Sequence, residues 1–161
     1  MAVEPHLAQL IGTWRGSGTG EFPSMATFRY EEEIRFVDIG STDLLYLQRG
    51  WDPASGEVLH AEAGMWRATP DGALAATIAQ PRTTEVSEGK ISPGLVVLAS
   101  TSVGRAANAP PLVATRRTYR LSGDKLTYAI EMTTLEVTQS TRHLVGALRR
   151  EAEADVDLSR S

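Results

Sequence analysis

Three histidines, His6, His60 and His143, and no cysteine make up the imidazole and thiol chemistry of this chain of 161 residues. Without thiols there are no disulfide frameworks, Fe–S clusters, thiolate haem ligands, cysteine-rich zinc sites or thiol redox catalysis. Metal or redox chemistry must then rest on a histidine, on carboxylates or on a borrowed cofactor. His6 stands near the N-terminus and reads as a surface residue. His60 falls on the same strand face as Glu62, Gly64 and Trp66, as a satisfied barrel histidine or a pocket residue, and its type and position alone favour the first. His143 is followed by Leu144, Ala147 and Leu148, a setting in which a lone histidine is more often structural than ligating. No Ser/His/Asp set has readable spacing and no HExxH motif exists, so hydrolytic chemistry has no support.

Two other runs invite a chemical reading and lose it. Gly12-Thr13-Trp14-Arg15-Gly16-Ser17-Gly18-Thr19-Gly20 looks like a phosphate cradle, but no buried strand precedes it, no helix follows it, and no Gly-Lys-Ser/Thr occurs. Alternating glycines instead let a strand bend and let another backbone come close, with Trp14 plugging one end of a barrel. Glu31-Glu32-Glu33 suggests a cation site, yet on a strand Glu32 points away from its neighbours, so the three carboxylates do not converge. Flanked by Arg29 and Arg35, they read as solvated charge.

The elements that must position these residues are mostly strands. In Thr27–Phe36, Phe28, Tyr30, Ile34 and Phe36 alternate with Arg29, Glu31, Glu33 and Arg35, and Leu126, Tyr128, Ile130 and Met132 repeat that period of two. Further strands are expected over Gly12–Glu21, Asp43–Asp52, Val58–Ala68, Ala73–Ala79, Thr83–Gly89, Leu95–Thr101 and Thr115–Leu121. They are punctuated by turn chemistry at Asp52-Pro53-Ala54-Ser55-Gly56, Thr69-Pro70-Asp71-Gly72, Ser92-Pro93-Gly94 and Ser122-Gly123-Asp124. Nine or ten short strands in this length favour an all-β, closed, antiparallel up-and-down barrel, because closure leaves no long edge exposed. Short helices are expected at both ends: Glu4–Ile11, with Pro5 in its first turn, and a turn capped by Ser140 or Thr141 that carries His143. One domain spans residues 1–161, with its core over about 7–149, a mobile loop over Val103–Pro111 and a polar tail over 151–161.

Sixteen basic against twenty acidic side chains, a net charge of -4, argue against nucleic-acid phosphates as the main partner. No apolar stretch approaches the roughly 18 residues of a membrane helix, and no secretory signal opens the chain, so a cytoplasmic protein is expected. Small antiparallel barrels often hold one small ligand, but the fold does not name it.

Motifs along most of the chain carry a more specific resemblance. Leu10-Ile11-Gly12-Thr13-Trp14-Arg15-Gly16-Ser17-Gly18 followed by Gly20-Glu21-Phe22-Pro23 resembles the GxWxGxG opening of the nitrobindins, with Gly12, Trp14, Gly16 and Gly18 on the motif positions. Similar to the same family are Phe28–Phe36, His60-Ala61-Glu62-Ala63-Gly64, the Pro70-Asp71-Gly72 turn, Ile78-Ala79-Gln80, Asp124–Met132 and His143-Leu144. The resemblance runs over about residues 7 to 149. It implies a ten-stranded barrel shaped like the lipocalins and fatty-acid-binding proteins, holding one haem b per chain near its mouth. It also implies nitric oxide binding, isomerisation of peroxynitrite to nitrate with no external electron, and a homodimer.

Carried over residue by residue, the resemblance makes His143 the axial ligand of the haem iron, on a helix. It makes Ser24 a small hydroxyl residue near the haem, and puts Leu59, His60, Gln80, Leu112 and Met132 on pocket-lining positions, with Leu59 where some members have methionine. The basic residue that some members place near the haem edge is replaced around Pro111, with Arg116 and Arg117 as nearby alternatives for anchoring the propionates. Two other functions share these residues: a non-catalytic haem or nitric oxide carrier or sensor, and a haem-free barrel for an apolar ligand lined by Met132, Leu59, Leu112 and Trp66.

Overall fold

The computed structural model describes residues 2–152. Ten strands follow one short helix: α1 (Pro5–Ala8), β1 (Gly12–Phe22), β2 (Met25–Asp38), β3 (Asp43–Trp51), β4 (Val58–Ala68), β5 (Ala73–Gln80), β6 (Thr83–Ser92), β7 (Leu95–Arg105), β8 (Leu112–Ser122), β9 (Lys125–Thr134) and β10 (Thr141–Arg150). Each strand pairs antiparallel with the next, and β1 pairs with β10, so the sheet closes on itself as an up-and-down barrel. Residues 153–161 of the expected polar tail lie outside the described residues.

The period of two decides what fills the barrel. On β2, Tyr30, Glu32, Ile34 and Phe36 point inward and are buried, while Arg29, Glu31 and Arg35 point out. Inward-facing aromatics then pack across the lumen: Phe36, Tyr46, Trp66 and Tyr119 form successive pairs with ring centroids 5.1 to 5.3 Å apart. Burying rings of this size dominates the core energetics, with tilted and edge-to-face geometry adding to the burial.

One end of the barrel is closed. Helix α1 starts with the Glu4 carboxylate accepting from the Leu7 N–H at 2.9 Å, and Pro5 occupies its first turn, where the missing N–H is harmless. Leu7 and Leu10 plug the lumen, and Trp14 is fully buried beneath them, donating its Nε1–H to the Leu10 carbonyl at 2.9 Å. This is the plugging role expected of Trp14. The helix itself is shorter than Glu4–Ile11.

The expected second helix does not exist. His143 lies on β10, which pairs with β1 and β9 along its length. The acidic run also differs from its solvated reading. Glu32 is 1% exposed inside the barrel, and Glu33, on the outer face, is covered by ion pairs to Arg15 and Arg35. Alternation already pointed Glu32 inward; its charge argued for solvent, and position won.

Candidate functional site

The far end of the barrel is open, rimmed by the β1–β2, β3–β4, β5–β6, β7–β8 and β9–β10 connections. It holds a cavity of about 380 Å³, within the usual range for small-molecule pockets. Met25, Phe28, Leu59, Pro81, Pro110, Leu112, Ile130, Met132 and Leu144 give it a largely apolar wall. Of the residues singled out in the sequence, His143, Leu59, His60, Gln80, Leu112 and Met132 all line it. Ser24 sits exposed in the β1–β2 turn and is not in the lining, whereas its neighbour Met25 is. Gly12, Trp14, Gly16 and Gly18 belong to β1, away from the cavity lining, and Trp66 belongs to the packed core.

His143 reaches the cavity because β10 is irregular there. Arg142 pairs with Glu131 and Leu144 with Ile130, so His143 is an extra residue without its own partner on β9. Strict alternation would put the residue before inward-facing Leu144 on the outer wall. The bulge lets both line the cavity, a common use of bulges beside functional sites. The β1–β2 register also shifts, between Gly20 and Phe22, and the Glu21 carbonyl within that shift lies 3.1 Å from His143 Nδ1. A carbonyl can only accept, so Nδ1 carries the hydrogen and Nε2 carries the lone pair. No protein group among the described residues is hydrogen-bonded to that Nε2. Phe22 and Phe28 stand edge-on to the imidazole, with centroids 5.8 and 6.4 Å away. Burial holds the imidazole pKa below its ordinary value, against the Glu21 hydrogen bond that raises it. At neutral pH the ring is therefore a neutral, oriented nitrogen donor, the form a metal requires.

The cavity floor is ionic. Arg117, 1% exposed, donates from Nη1 and Nη2 to the Glu62 carboxylate at 2.8 and 2.9 Å and from Nε to Glu85 at 2.7 Å. Tyr46 donates to Glu62 at 2.9 Å, and Thr115 and Gln80 each donate to Glu85 at 3.1 Å. Burial by itself would raise the Glu62 pKa, but Arg117 and the His60 contact outweigh it and hold the carboxyl well below the usual range. His60 Nε2 lies 3.0 Å from Glu62 Oε1. An ionised carboxylate only accepts, so Nε2 is the protonated nitrogen of His60. Both sequence readings of this residue hold together: it is satisfied by Glu62 and it lines the cavity.

Sequence reasoning missed this floor, although its signal was available. Glu62 shares the inward face of β4 with Trp66, and Thr115, Arg117 and Tyr119 are the inward residues of β8. Arg117 is thereby fully engaged, and Arg116 points outward, 4.0 Å from Glu131. Neither is placed to hold a propionate. The basic side chain in the cavity wall at its mouth is Arg82, which has a left-handed backbone (φ 75°) and donates from Nη1 to the Asn108 carbonyl at 2.8 Å. Left-handed backbone in a non-glycine residue is costly and concentrates at functional sites.

Among the described residues no three His, Asp or Glu side chains are grouped to hold a bare metal ion. A planar group that brings its own equatorial ligands needs only one axial nitrogen and an apolar slot. His143 Nε2 and the lining supply both, so the residues present fit a haem.

Comparison with known proteins agrees with this fit. Residues 4–150 match the family described as "THAP4-like, heme-binding beta-barrel domain". A protein of Arabidopsis thaliana called peroxynitrite isomerase Rv2717c is 39% identical over 131 residues, 80% of this chain and 77% of its own. The peroxynitrite isomerase 1 of Rhodococcus jostii is 35% identical over 150 residues, covering 92% of this chain and 85% of its own. Among solved structures, Rv2717c from M. tuberculosis superposes with a TM-score of 0.84 at 30% identity, covering 93% of this chain and 99% of that one.

Proposed function

The chain belongs to the family of THAP4-like, haem-binding β-barrel domains, and from that premise we propose that it holds one haem b in the open end of its barrel and isomerises peroxynitrite to nitrate. The observation that carries this reading is the neutral His143 imidazole, its Nδ1–H fixed on the Glu21 carbonyl and its Nε2 unclaimed in an apolar cavity. Relatives named as peroxynitrite isomerases, aligned over most of their own length, support the reaction.

Mechanism follows from what each residue does. The haem, when bound, would supply a ferric Lewis acid for an isomerisation that needs no net electron. His143 would hold it through Nε2, and the Glu21 carbonyl keeps the imidazole in the tautomer that leaves Nε2 free and raises its basicity. Phe22 and Phe28 fix the plane of the imidazole. Leu59, Leu112, Ile130 and Met132 exclude water, which strengthens electrostatics within the cavity and restricts what enters. His60, braced by Glu62, places a polar nitrogen in the same wall.

Nitric oxide is a second small-molecule ligand in this reading, which extends to a homodimer and a cytoplasmic setting; sedimentation velocity tests the dimer. The reaction is tested by following peroxynitrite decay and nitrate yield with the haem-loaded ferric protein and with free ferric haem at equal iron. Faster decay and a higher nitrate yield for the protein support isomerisation. Equal rates would make the protein a carrier or sensor, and failure to take up haem would leave the haem-free barrel.

A further inference from the structure

The mouth of the cavity carries a cation to which the chemistry above gives no task. Two arginines and no lysine stand among the described residues that line the cavity, Arg82 and Arg117. Arg117 is committed to Glu62 and Glu85 on the floor. Arg82 is exposed, and its one side-chain hydrogen bond among the described residues runs from Nη1 to the Asn108 carbonyl. No described carboxylate is ion-paired with it. Its Nε and Nη2 are unclaimed, and a guanidinium fork matches the two oxygens of a carboxylate.

The turn that carries Arg82 does not itself call for arginine. Gln80 pairs with Thr83, so Pro81 and Arg82 are the two central residues between β5 and β6. Proline at the first and a φ of 75° at the second is the pattern of a type II turn, whose second central residue is favourably glycine or asparagine. Arginine there bears a backbone cost that those residues largely avoid, and what it adds is the side chain. That side chain is also held. The Arg82 carbonyl accepts from the Ala106 N–H at 2.9 Å and Nη1 donates to the Asn108 carbonyl at 2.8 Å, so backbone and guanidinium are both fastened to the β7–β8 connection. Pro110 of the same connection lines the cavity beside it.

We propose that Arg82 is the anion anchor of the cavity and takes a carboxylate of the bound ligand, a haem propionate, a role that rests on the haem reading above. Charge decides which end of such a ligand faces the mouth. On the floor one guanidinium is shared by two carboxylates, so a further carboxylate there is repelled and loses its water. The wall above the floor is largely apolar and suits the ring rather than its acidic groups. At the mouth a carboxylate keeps part of its hydration and gains a charge-assisted pair with a cation that Asn108 already holds in place. Arg82 thereby sets which edge of the ligand faces water, and His143 Nε2 remains the nitrogen left for the iron.

The test titrates wild type and Arg82→Asn with ferric haem and with its dimethyl ester, which keeps the iron and the ring but removes both carboxylate charges. Asparagine tolerates the left-handed backbone, so the substitution removes the cation and spares the turn. The expected result is haem binding about five-fold weaker in Arg82→Asn, near the upper end of what an exposed ion pair contributes. The ester should bind both proteins alike, and the haem difference should shrink as salt is raised. Equal haem binding by the two proteins would overturn the proposal. So would equal weakening of haem and ester, which would make Arg82 a fastener of the β7–β8 connection and nothing more. Wild type that takes up neither haem nor ester would sink the haem reading and this role with it, whereas saturable haem with no effect of esterification on the difference removes the role of Arg82 alone. Arg82→Gln, a second variant without the charge, is read in the same way if Arg82→Asn does not fold.

Discussion

At the scale of single residues, the barrel is held around two kinds of imidazole and one buried cation. Arg117 reaches Glu62 on β4 and Glu85 on β6 with three hydrogen bonds of 2.7 to 2.9 Å, and all three residues are at least nine-tenths buried. Removing the guanidinium leaves two carboxylates in a low-dielectric lumen, which costs about 3–5 kcal/mol at neutral pH. Arg117→Leu should show that loss in urea unfolding. The pH dependence follows from the sign of the Glu62 shift. In wild type its folded pKa lies below the unfolded 4.5, so its contribution is complete above that value and is lost as the pH falls through and below it. In Arg117→Leu burial acts unopposed by that cation, and the folded pKa rises instead. The variant should then gain stability as the medium is acidified from neutral, where wild type gains none from this group. Identical pH profiles would contradict the assigned role. The sequence showed which way Glu62 faces but not its partner, because β4, β6 and β8 meet only through closure of the barrel.

At the scale of elements, β1 and β10 are where small residues let large ones in. A Cβ on Gly18 would overlap the Tyr30 ring and hydroxyl and sit 2.5 Å from the Val145 carbonyl oxygen. Tyr30 in turn shares a 2.5 Å hydrogen bond with Tyr128 across the lumen. Gly18→Ala should cost about 1–3 kcal/mol as an overpacked site and should alter the near-UV tyrosine signal, whereas far-UV dichroism stays that of a barrel. Unchanged stability would show that Tyr30 has room the packing denies it. The glycine motif is therefore legible as close approach, as the alternation at Gly16, Gly18 and Gly20 suggested. The last strand was not legible. His143, Leu144, Ala147 and Leu148 fall at a spacing that mimics a helix, while the true inward series, Leu144, Gly146 and Leu148, has a glycine in its middle and starts beside a bulge. One inserted residue breaks the period of two at the place where it would have revealed the strand.

At the scale of the whole molecule, one end of the barrel is plugged by α1, Leu10 and Trp14 and the other is open, so a ligand has one way in. Turn residues and alternation carried the architecture, since every turn places its chain reversal where the strands end. The site came through less directly: a lone histidine has no spacing to read, and only the resemblance singled out His143. In the proposed role as iron ligand, the Glu21 carbonyl would set the tautomer of this histidine and the bulge turns its ring inward. The measurement that tests this most directly is a haem titration of wild type and His143→Ala at the Soret band, with far-UV dichroism confirming that both are folded barrels. Saturation at one haem per chain in wild type, lost in His143→Ala, is the predicted result. Equal, saturable haem binding by the folded His143→Ala variant would contradict the account.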